Sequence, residues 1–505
     1  MKYDLTFSKI CDKSGKEFLS KKNKLQKRDK GQIFTPISIA FFMAKQFIPL
    51  KGQKEFSVLD PGAGSGILTA AFCDYIFNET NANVKATLYE KDKEIISNLN
   101  ANMLEIAKWF LSKNRVFSYE IISKDFILDN YEMLDKKKGI YDFIISNPPY
   151  FKLSKKNKLV KLMKPIINGQ PNIYFLFMAI AAVLANSHGQ LTFITPRSFC
   201  SGNYFGCFRR WFLTRINIHK IHIFNSRKEN FDDVLQETII VSAQKKITNH
   251  IRISSSNNAQ FSDYQEISVP KDYIIANQND YVIRIPTSTK EVEIIRLMNL
   301  FPCQLSDLGV KISTGPVVDF RSKSYLKSKI TTSQEVPLLW MHNIEDFRVN
   351  VNFAKEGKPA AIKISADTIK ILRPIGNYVL LKRFTSKEQK RRLSAGILEQ
   401  QVINKYKFIG IENHLNYLWS PSSNLNLHMA YGLLVLLNST IYDSYFRIIN
   451  GNTQVNASDI NMLKFPNKLL VSNLGQEVMK NKEINYTEID NLVEAVIFNS
   501  AENNL

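Results

Sequence analysis

The chain has 505 residues, 44% hydrophobic and 22% charged, which excludes wholesale disorder and is too long for one ordinary core, so two or three domains are expected. Lys plus Arg number 67 against 46 Asp plus Glu, a net charge of +21, which points to a polyanionic partner, nucleic acid before an acidic membrane surface. Cys11, Cys73, Cys200, Cys207 and Cys303 are scattered without a CxxC pair, which argues against a disulfide framework or a metal site and for a reducing compartment, the cytoplasm.

Residues 1–30 are Lys-rich, without periodicity or an apolar signal core, and read as a basic extension. Between 31 and 250 strand-like apolar runs alternate with helical ones. Phe56–Asp60 is a strand, followed by a Gly-rich turn and a helix from Ile67 to Phe77. Val84–Glu90 is a second strand, then a helix over Asp92–Phe110 with Leu and Ile at three-to-four spacing. Tyr119–Ile122, Tyr141–Ser146 and Gln190–Thr195 are further strands, with helices at Ile173–Asn186 and Asn203–Ile216. Ile218–Phe224 and Glu237–Ala243 look extended. This alternation predicts an α/β fold, a doubly wound, mostly parallel Rossmann-like sheet, with ligands beyond the carboxyl ends of its strands. The most apolar stretch, Ile173–Leu184, is shorter than the ~20 residues of a spanning helix and reads as a buried helix, so no membrane association is expected. Residues 251–289 look like a linker, 290–490 like a second, α+β domain, and 491–505 like a tail.

Four segments carry chemistry. In Asp60-Pro61-Gly62-Ala63-Gly64-Ser65-Gly66 the alternating glycines let backbone approach a ligand at a helix start. Glu90, at the end of the second strand, is placed to accept both hydroxyls of a ribose. Loop and acid together indicate a nucleoside cofactor; a plain tight turn is the alternative. Asp125-Phe126, after the third strand, offers a carboxylate to an adenine amine and a ring to its face, though Asp125 equally suits a helix N-cap. Asn147-Pro148-Pro149-Tyr150 ends the fourth strand. Its prolines remove two backbone donors, Asn147 adds an acceptor and Tyr150 a ring, which suits a planar group with an exocyclic NH2; a turn is the bland alternative.

Glycine loop, strand-two acid, Asp-Phe and Asn-Pro-Pro-Tyr, in this order, resemble S-adenosylmethionine-dependent amino methyltransferases. With Gly31-Gln32-Ile33-Phe34-Thr35-Pro36 ahead of them and extra chain behind, the sequence resembles the gamma-class DNA adenine-N6 methyltransferases, the TaqI-like enzymes and their PstI/BsuBI-type relatives. The likeness is specific over about 31–245 and extends weakly through Leu381–Phe384 and Gly451–Asn456. It implies S-adenosylmethionine as cofactor, held by Thr35, Asp60, Gly62, Gly64 and Gly66, with Glu90 at the ribose and Asp125 and Phe126 at the adenine. It implies that Asn147 and the Pro148 carbonyl accept the target amine, and that Tyr150 and Phe231 stack on a flipped base. Asp232 and Asp233 beside Phe231 depart from the family's pattern. The resemblance further implies double-stranded DNA as substrate, a separately encoded restriction endonuclease as functional partner, and a monomer.

Six lysines between Lys152 and Lys164, among them Lys155, Lys156 and Lys158, have no acid between them and suit DNA phosphates, or a solvated helix face. Lys382, Arg383, Arg391 and Arg392 lie near aromatics, and Asn452 and Gln454 are able to read bases or to close a turn. His219 and His222 alternate on a strand without metal-ligand spacing and read as structural. Three other readings remain: cytosine-N4 methylation, methylation of a protein glutamine, and a DNA-binding module with an inactive methyltransferase fold. The basic C-terminal half weighs against the glutamine, Asn147 leans toward adenine, and the intact motifs argue against inactivity.

Overall fold

The computed structural model describes residues 5–20, 35–136, 139–167, 169, 171–225, 237–276, 281–385, 388–451, 453–480 and 484–498. It divides the chain into two compact units, Met1–Thr289 and Lys290–Leu505.

The strands of the first unit are β1 (Glu55–Pro61), β2 (Asn83–Tyr89), β3 (Phe117–Ile122), β4 (Tyr141–Ser146), β5 (Ala185–Pro196), β6 (Asn217–Phe224), β7 (Thr238–Gln244), β8 (His250–Ser256) and β9 (Gln265–Pro270). They form one sheet in the order β3-β2-β1-β4-β5-β7-β6-β8-β9. β1 to β5 are parallel, β7 runs antiparallel between β5 and β6, β8 pairs parallel with β6, and β9 closes the edge antiparallel. The expected doubly wound sheet is present, two strands wider than the sequence alternation indicated.

Its helices are α1 (Thr6–Ser20), α2 (Ile37–Ala44), α3 (Ile67–Glu79), α4 (Lys93–Ser112), α5 (Phe126–Asn130), α6 (Lys158–Leu162), α7 (Ile173–Leu184) and α8 (Gly206–Leu213). α4 is capped by Asp92 and buries Ile95, Leu99, Met103, Ile106 and Phe110, the stripe that a 3.6-residue period dictates. α1 to α4 share one core with β1 to β3. Apart from that core, α7 packs with α5 through Phe177 and Phe126 (5.2 Å between ring centroids) and with α8 through Phe175 and Phe208 (5.0 Å). All of α7 is buried, and among the described residues no helix is long and apolar enough to cross a membrane.

Two expectations about boundaries in the first unit need correcting. Part of the supposed N-terminal extension is α1, which buries Phe7 and Cys11 and is pinned by the Asp74 carboxylate, which accepts from the amides of Phe7 (3.0 Å) and Ser8 (2.9 Å). Its Lys-rich composition hid a narrow apolar stripe. Residues 250–276 are no linker either: β8 and β9 extend the first unit's sheet, with Ile251 and Ile253 in its core. The second unit starts at Lys290.

The second unit is α+β, as read. Leu415–Trp419 and Tyr378–Lys382 are central in a six-stranded sheet, and Glu335–Leu339 and Phe408–Ile411 are neighbours in a five-stranded one. The helices Leu427–Asn438 and Lys468–Lys480 cross closely at Gly432 and Gly475, where a Cβ on either would strike the facing carbonyl, of Val471 or His428 respectively. The supposed tail from 491 begins inside a helix, Tyr486–Val493, which continues as a π-turn through Phe498.

Candidate active site

β1 and β4 pair directly although β2 and β3 lie between them in sequence, so the strand order reverses there and leaves a crevice beyond their carboxyl ends. The loops after these two strands carry the glycines and Asn147. Ser146 Oγ donates to the Pro61 carbonyl at 2.8 Å, which ties one loop to the other.

Gly62, Gly64 and Gly66 take φ of +83°, +57° and +84°, the left-handed region that disfavours side chains. A Cβ on Gly66 would lie 2.6 Å from Met103 Cε and 2.8 Å from Leu99 Cδ1, so a side chain there would push the ends of these α4 side chains aside. Glu90 is locked to it: Oε2 accepts from the Gly64 amide at 2.9 Å and Oε1 from the Asp92 amide at 2.8 Å. Each carboxylate oxygen keeps a further acceptor site, as two vicinal hydroxyls require.

Asp60 is buried at the end of β1. Its Oδ2 accepts from Thr69 Oγ1 at 2.9 Å, while Oδ1 is enclosed without a partner, as is Ser65 Oγ. Burial pushes the Asp60 carboxyl up to about 7 against the pull of Thr69. An orphaned carboxylate oxygen beside a glycine loop calls for a cationic ligand group. Asp125 caps α5, its Oδ1 accepting from the amides of Ile127 (3.0 Å) and Leu128 (3.1 Å), which leaves Oδ2 near Lys91 Nζ at 3.8 Å. The N-cap reading therefore holds, with one oxygen left over. Phe126 is buried between Tyr89 (5.1 Å) and Phe177 (5.2 Å). Phe177 lies 3.8 Å from where a Gly62 Cβ would sit, so its ring joins Phe126 to the glycine loop. Sequence reading missed Phe177 because it sits inside a uniformly apolar helix.

Asn147 Nδ2 donates to Thr35 Oγ1 at 3.1 Å, and Thr35 is 3% exposed. This bond orients the amide so that Oδ1, not Nδ2, is turned from Thr35. Oδ1 accepts from the Tyr150 hydroxyl at 2.6 Å, and that hydroxyl also lies 2.7 Å from the Ile194 carbonyl. Burial keeps the Tyr150 hydroxyl well above the ordinary phenol range, so it remains a donor. Tyr174 of α7 meets the Tyr150 ring edge-on at 6.1 Å. Neither Tyr174 nor the Ile194 carbonyl carries a sequence signal, since both contacts arise only from folding.

The structure thus gathers Thr35, Asp60, the glycines, Glu90, Asp125, Phe126, Asn147, Pro148 and Tyr150 around one crevice. Phe231, with Asp232 and Asp233, lies outside the described residues, as do Gly31–Phe34 and Asn452. Lys155, Lys156 and Lys158 are exposed and, among the described residues, pair with no carboxylate. Arg392 corrects the expectation of a surface cation. It is 1% exposed, its Nη1 donating to the Asn450 carbonyl (3.4 Å) and its Nε to Thr385 Oγ1 (3.3 Å), so it is a core residue unable to reach a phosphate. Arg391 is also largely committed, to Thr440 Oγ1 (2.7 Å) and Asp490 (3.4 Å). Burial holds the partly enclosed Lys382 below the usual lysine range. Arg383 and Gln454 are in contact, Nη2 to Oε1 at 3.5 Å. His222 is a buried structural residue between Ser254 Oγ (3.0 Å) and Ser256 Oγ (3.1 Å).

The Eco57I restriction-modification methylase family matches residues 15–231. The chain is 36% identical over 471 residues to the type II methyltransferase M.PstI of Providencia stuartii, covering 92% of each chain. It is 37% identical over 491 residues to the type II methyltransferase M.BsuBI of Bacillus subtilis, covering 94% of this chain and 96% of that one. Among solved structures, the type IIL restriction-modification enzyme MmeI in complex with DNA aligns with a TM-score of 0.54 at 13% identity, over 87% of this chain and 70% of that one, which bears on the fold alone. A chain that matches M.PstI and M.BsuBI at 36% and 37% identity across nearly their whole length belongs to the type II methyltransferases of restriction-modification systems.

Proposed function

We propose that this enzyme uses S-adenosylmethionine to methylate N6 of an adenine extruded from duplex DNA, and so protects its host from a separately encoded restriction endonuclease. The observation that carries the reading is the pairing of two acceptor sites: Asn147 Oδ1, oriented by Thr35 and held by the Tyr150 hydroxyl, in one loop, and the orphaned Asp60 carboxylate oxygen in the loop tied to it. The first suits a planar amine and the second a cationic cofactor end.

The residues present fit the cofactor. Asp60 Oδ1 lacks a partner that an ammonium group would supply, Glu90 keeps acceptor capacity for ribose hydroxyls, and Asp125 keeps one oxygen for an adenine amine beside Phe126 and Phe177. Bound there, S-adenosylmethionine would supply an electrophilic methyl group on a positively charged sulfur.

An aromatic amine is a poor nucleophile because its lone pair is delocalised into the ring. Asn147 Oδ1 and the Pro148 carbonyl, accepting its two hydrogens, draw the nitrogen toward tetrahedral geometry and disperse the positive charge that develops on it. Thr35 holds the Asn147 amide so that oxygen, not nitrogen, faces the amine. The residues position and polarise, and no strong general base stands in the motif. A stacked base cannot enter the crevice, so it is flipped out at a cost of a few kcal/mol, offset by stacking on Tyr150. Exposed Lys155, Lys156 and Lys158, next in sequence after this loop, suit the adjoining phosphates.

The test is to incubate the enzyme with unmethylated plasmid and tritiated S-adenosylmethionine and digest the product to nucleosides. Label in N6-methyl-2′-deoxyadenosine is expected. Label in N4-methylcytosine, or in protein with none in DNA, would overturn the assignment.

A further inference from the structure

In the second unit, Glu412 follows the strand Phe408–Ile411 and is fully buried, yet its carboxylate serves one neighbour twice. Oε2 accepts from the His414 amide at 2.9 Å and Oε1 from His414 Nδ1 at 2.5 Å. A buried carboxylate spent on a surface imidazole fixes the ring's orientation and its proton: Nδ1 donates inward and Nε2 faces away. The His414 side chain is 39% exposed and lies against the Phe384 ring, 4.7 Å between centroids, itself 37% exposed.

Two further side chains converge on this pair. Arg383 Nη1 donates to the Asn413 carbonyl at 3.0 Å and Nη2 to Gln454 Oε1 at 3.5 Å, so Gln454 points its amide nitrogen away from Arg383. Phe384 and Gln454 form an antiparallel bridge, closed by the Val455 amide donating to the Arg383 carbonyl at 2.7 Å. Among the described residues the cluster is not self-satisfied: Arg383 Nε and Asn413 Oδ1 are enclosed without partners. The result is an oriented imidazole nitrogen, a carboxamide donor and an apolar ring edge on one rigid patch.

We infer that His414, Gln454 and Phe384, held by Glu412 and Arg383, form a base-reading surface that contacts base edges in the major groove of the DNA substrate. The inference rests on the proposed DNA methylation and adds which residues choose the site. Gln454 presents donors to purine N7 or O6 or thymine O4, His414 Nε2 a second polar contact, and Phe384 an apolar edge for a thymine methyl. A surface that merely neutralised phosphates would offer free cations, whereas the Arg383 guanidinium at this patch is tethered to the Asn413 carbonyl and Gln454.

The test is to express the full-length enzyme and its His414→Ala, Gln454→Ala and Phe384→Ala variants in a methylation-deficient host, and to map methylated bases by long-read sequencing. Wild type should mark one motif. The variants should mark a degenerate motif, accepting a changed base at one or two positions with relative rates raised about tenfold or more. Variants that keep the wild-type motif at lower occupancy, with weaker binding to all sequences alike, would overturn this surface as a reader and leave the proposed methylation intact. Wild-type enzyme that marks no DNA would overturn both. Glu412→Gln should relax the same position as His414→Ala if Glu412 acts through His414; an unchanged motif there would remove the positioning role.

Discussion

The Tyr150 hydroxyl donates to Asn147 Oδ1 at 2.6 Å, so in the free protein the acceptor that a target amine needs is occupied by the ring expected to stack on the base. The Ile194 carbonyl, 2.7 Å from the same hydroxyl, offers a second acceptor once the amine takes its place. Displacement therefore strands no hydrogen bond. Tyr150→Phe should keep turnover within about threefold of wild type, whereas Asn147→Ala, which removes a charge-stabilising acceptor, should lower kcat about 100-fold or more with cofactor affinity retained. Steady-state kinetics and calorimetric cofactor binding separate these. A Tyr150→Phe loss as large as that of Asn147→Ala would show the hydroxyl to be required in the reaction itself.

Thr35 decides which atom of the Asn147 amide faces the crevice. Thr35→Val keeps the shape and removes the acceptor that holds Nδ2, which loosens the orientation of the amide. Single-turnover methylation should slow roughly tenfold while Thr35→Ser stays near wild type, in line with the loss of one buried hydrogen bond. Equal slowing in both variants would point to packing instead.

Asp60 makes cofactor binding sensitive to pH. Its carboxyl, raised by burial from 3.8 to about 7, is largely protonated below neutrality in the free protein. A cationic ligand group favours the ionised form, so binding should release a proton and tighten as the pH rises through about 7. In the free protein the same shift contributes stability that is present below about 4 and lost as the pH rises through about 7. Calorimetry in buffers of different ionisation enthalpy measures the proton. Asp60→Asn should abolish the release; an undiminished one would assign it elsewhere.

Two sets of basic residues should respond in opposite ways. Replacing Lys155, Lys156 and Lys158 together by Ala should flatten the salt dependence of DNA binding by a log–log slope of up to about 3 and leave thermal stability unchanged. Arg392→Ala should instead destabilise the second unit by about 1–3 kcal/mol, since it leaves buried Thr385 and the Asn450 carbonyl without this donor. Denaturant melts and filter binding at several salt concentrations distinguish them.

His222 should limit acid tolerance. Burial lowers it from 6.5 to about 3, so its stabilising contribution is present above about 6.5 and lost as the pH falls toward 3. In His222→Gln the melting temperature should fall less steeply between pH 6 and 4 than in wild type.

Much of this protein is determined locally. Strand–helix alternation gave the doubly wound sheet because period and apolar content are written residue by residue, and the glycines, Glu90 and Asn147-Pro148-Pro149-Tyr150 announce their chemistry because each needs a particular residue type at a strand end. Three-dimensional packing decided the rest. Thr35 meets Asn147 across 112 positions of chain, and Ser146 meets Pro61 across 85, contacts that no local pattern encodes. Arg391 and Arg392 are adjacent in a basic run, and only folding makes Arg391 half-covered and Arg392 core. Phe177 looks like every other apolar residue of its helix until α7 docks beside the glycine loop. Local sequence sets what a residue is able to do, while burial and long-range partners, which depend on how the whole chain closes, set what it is free to do.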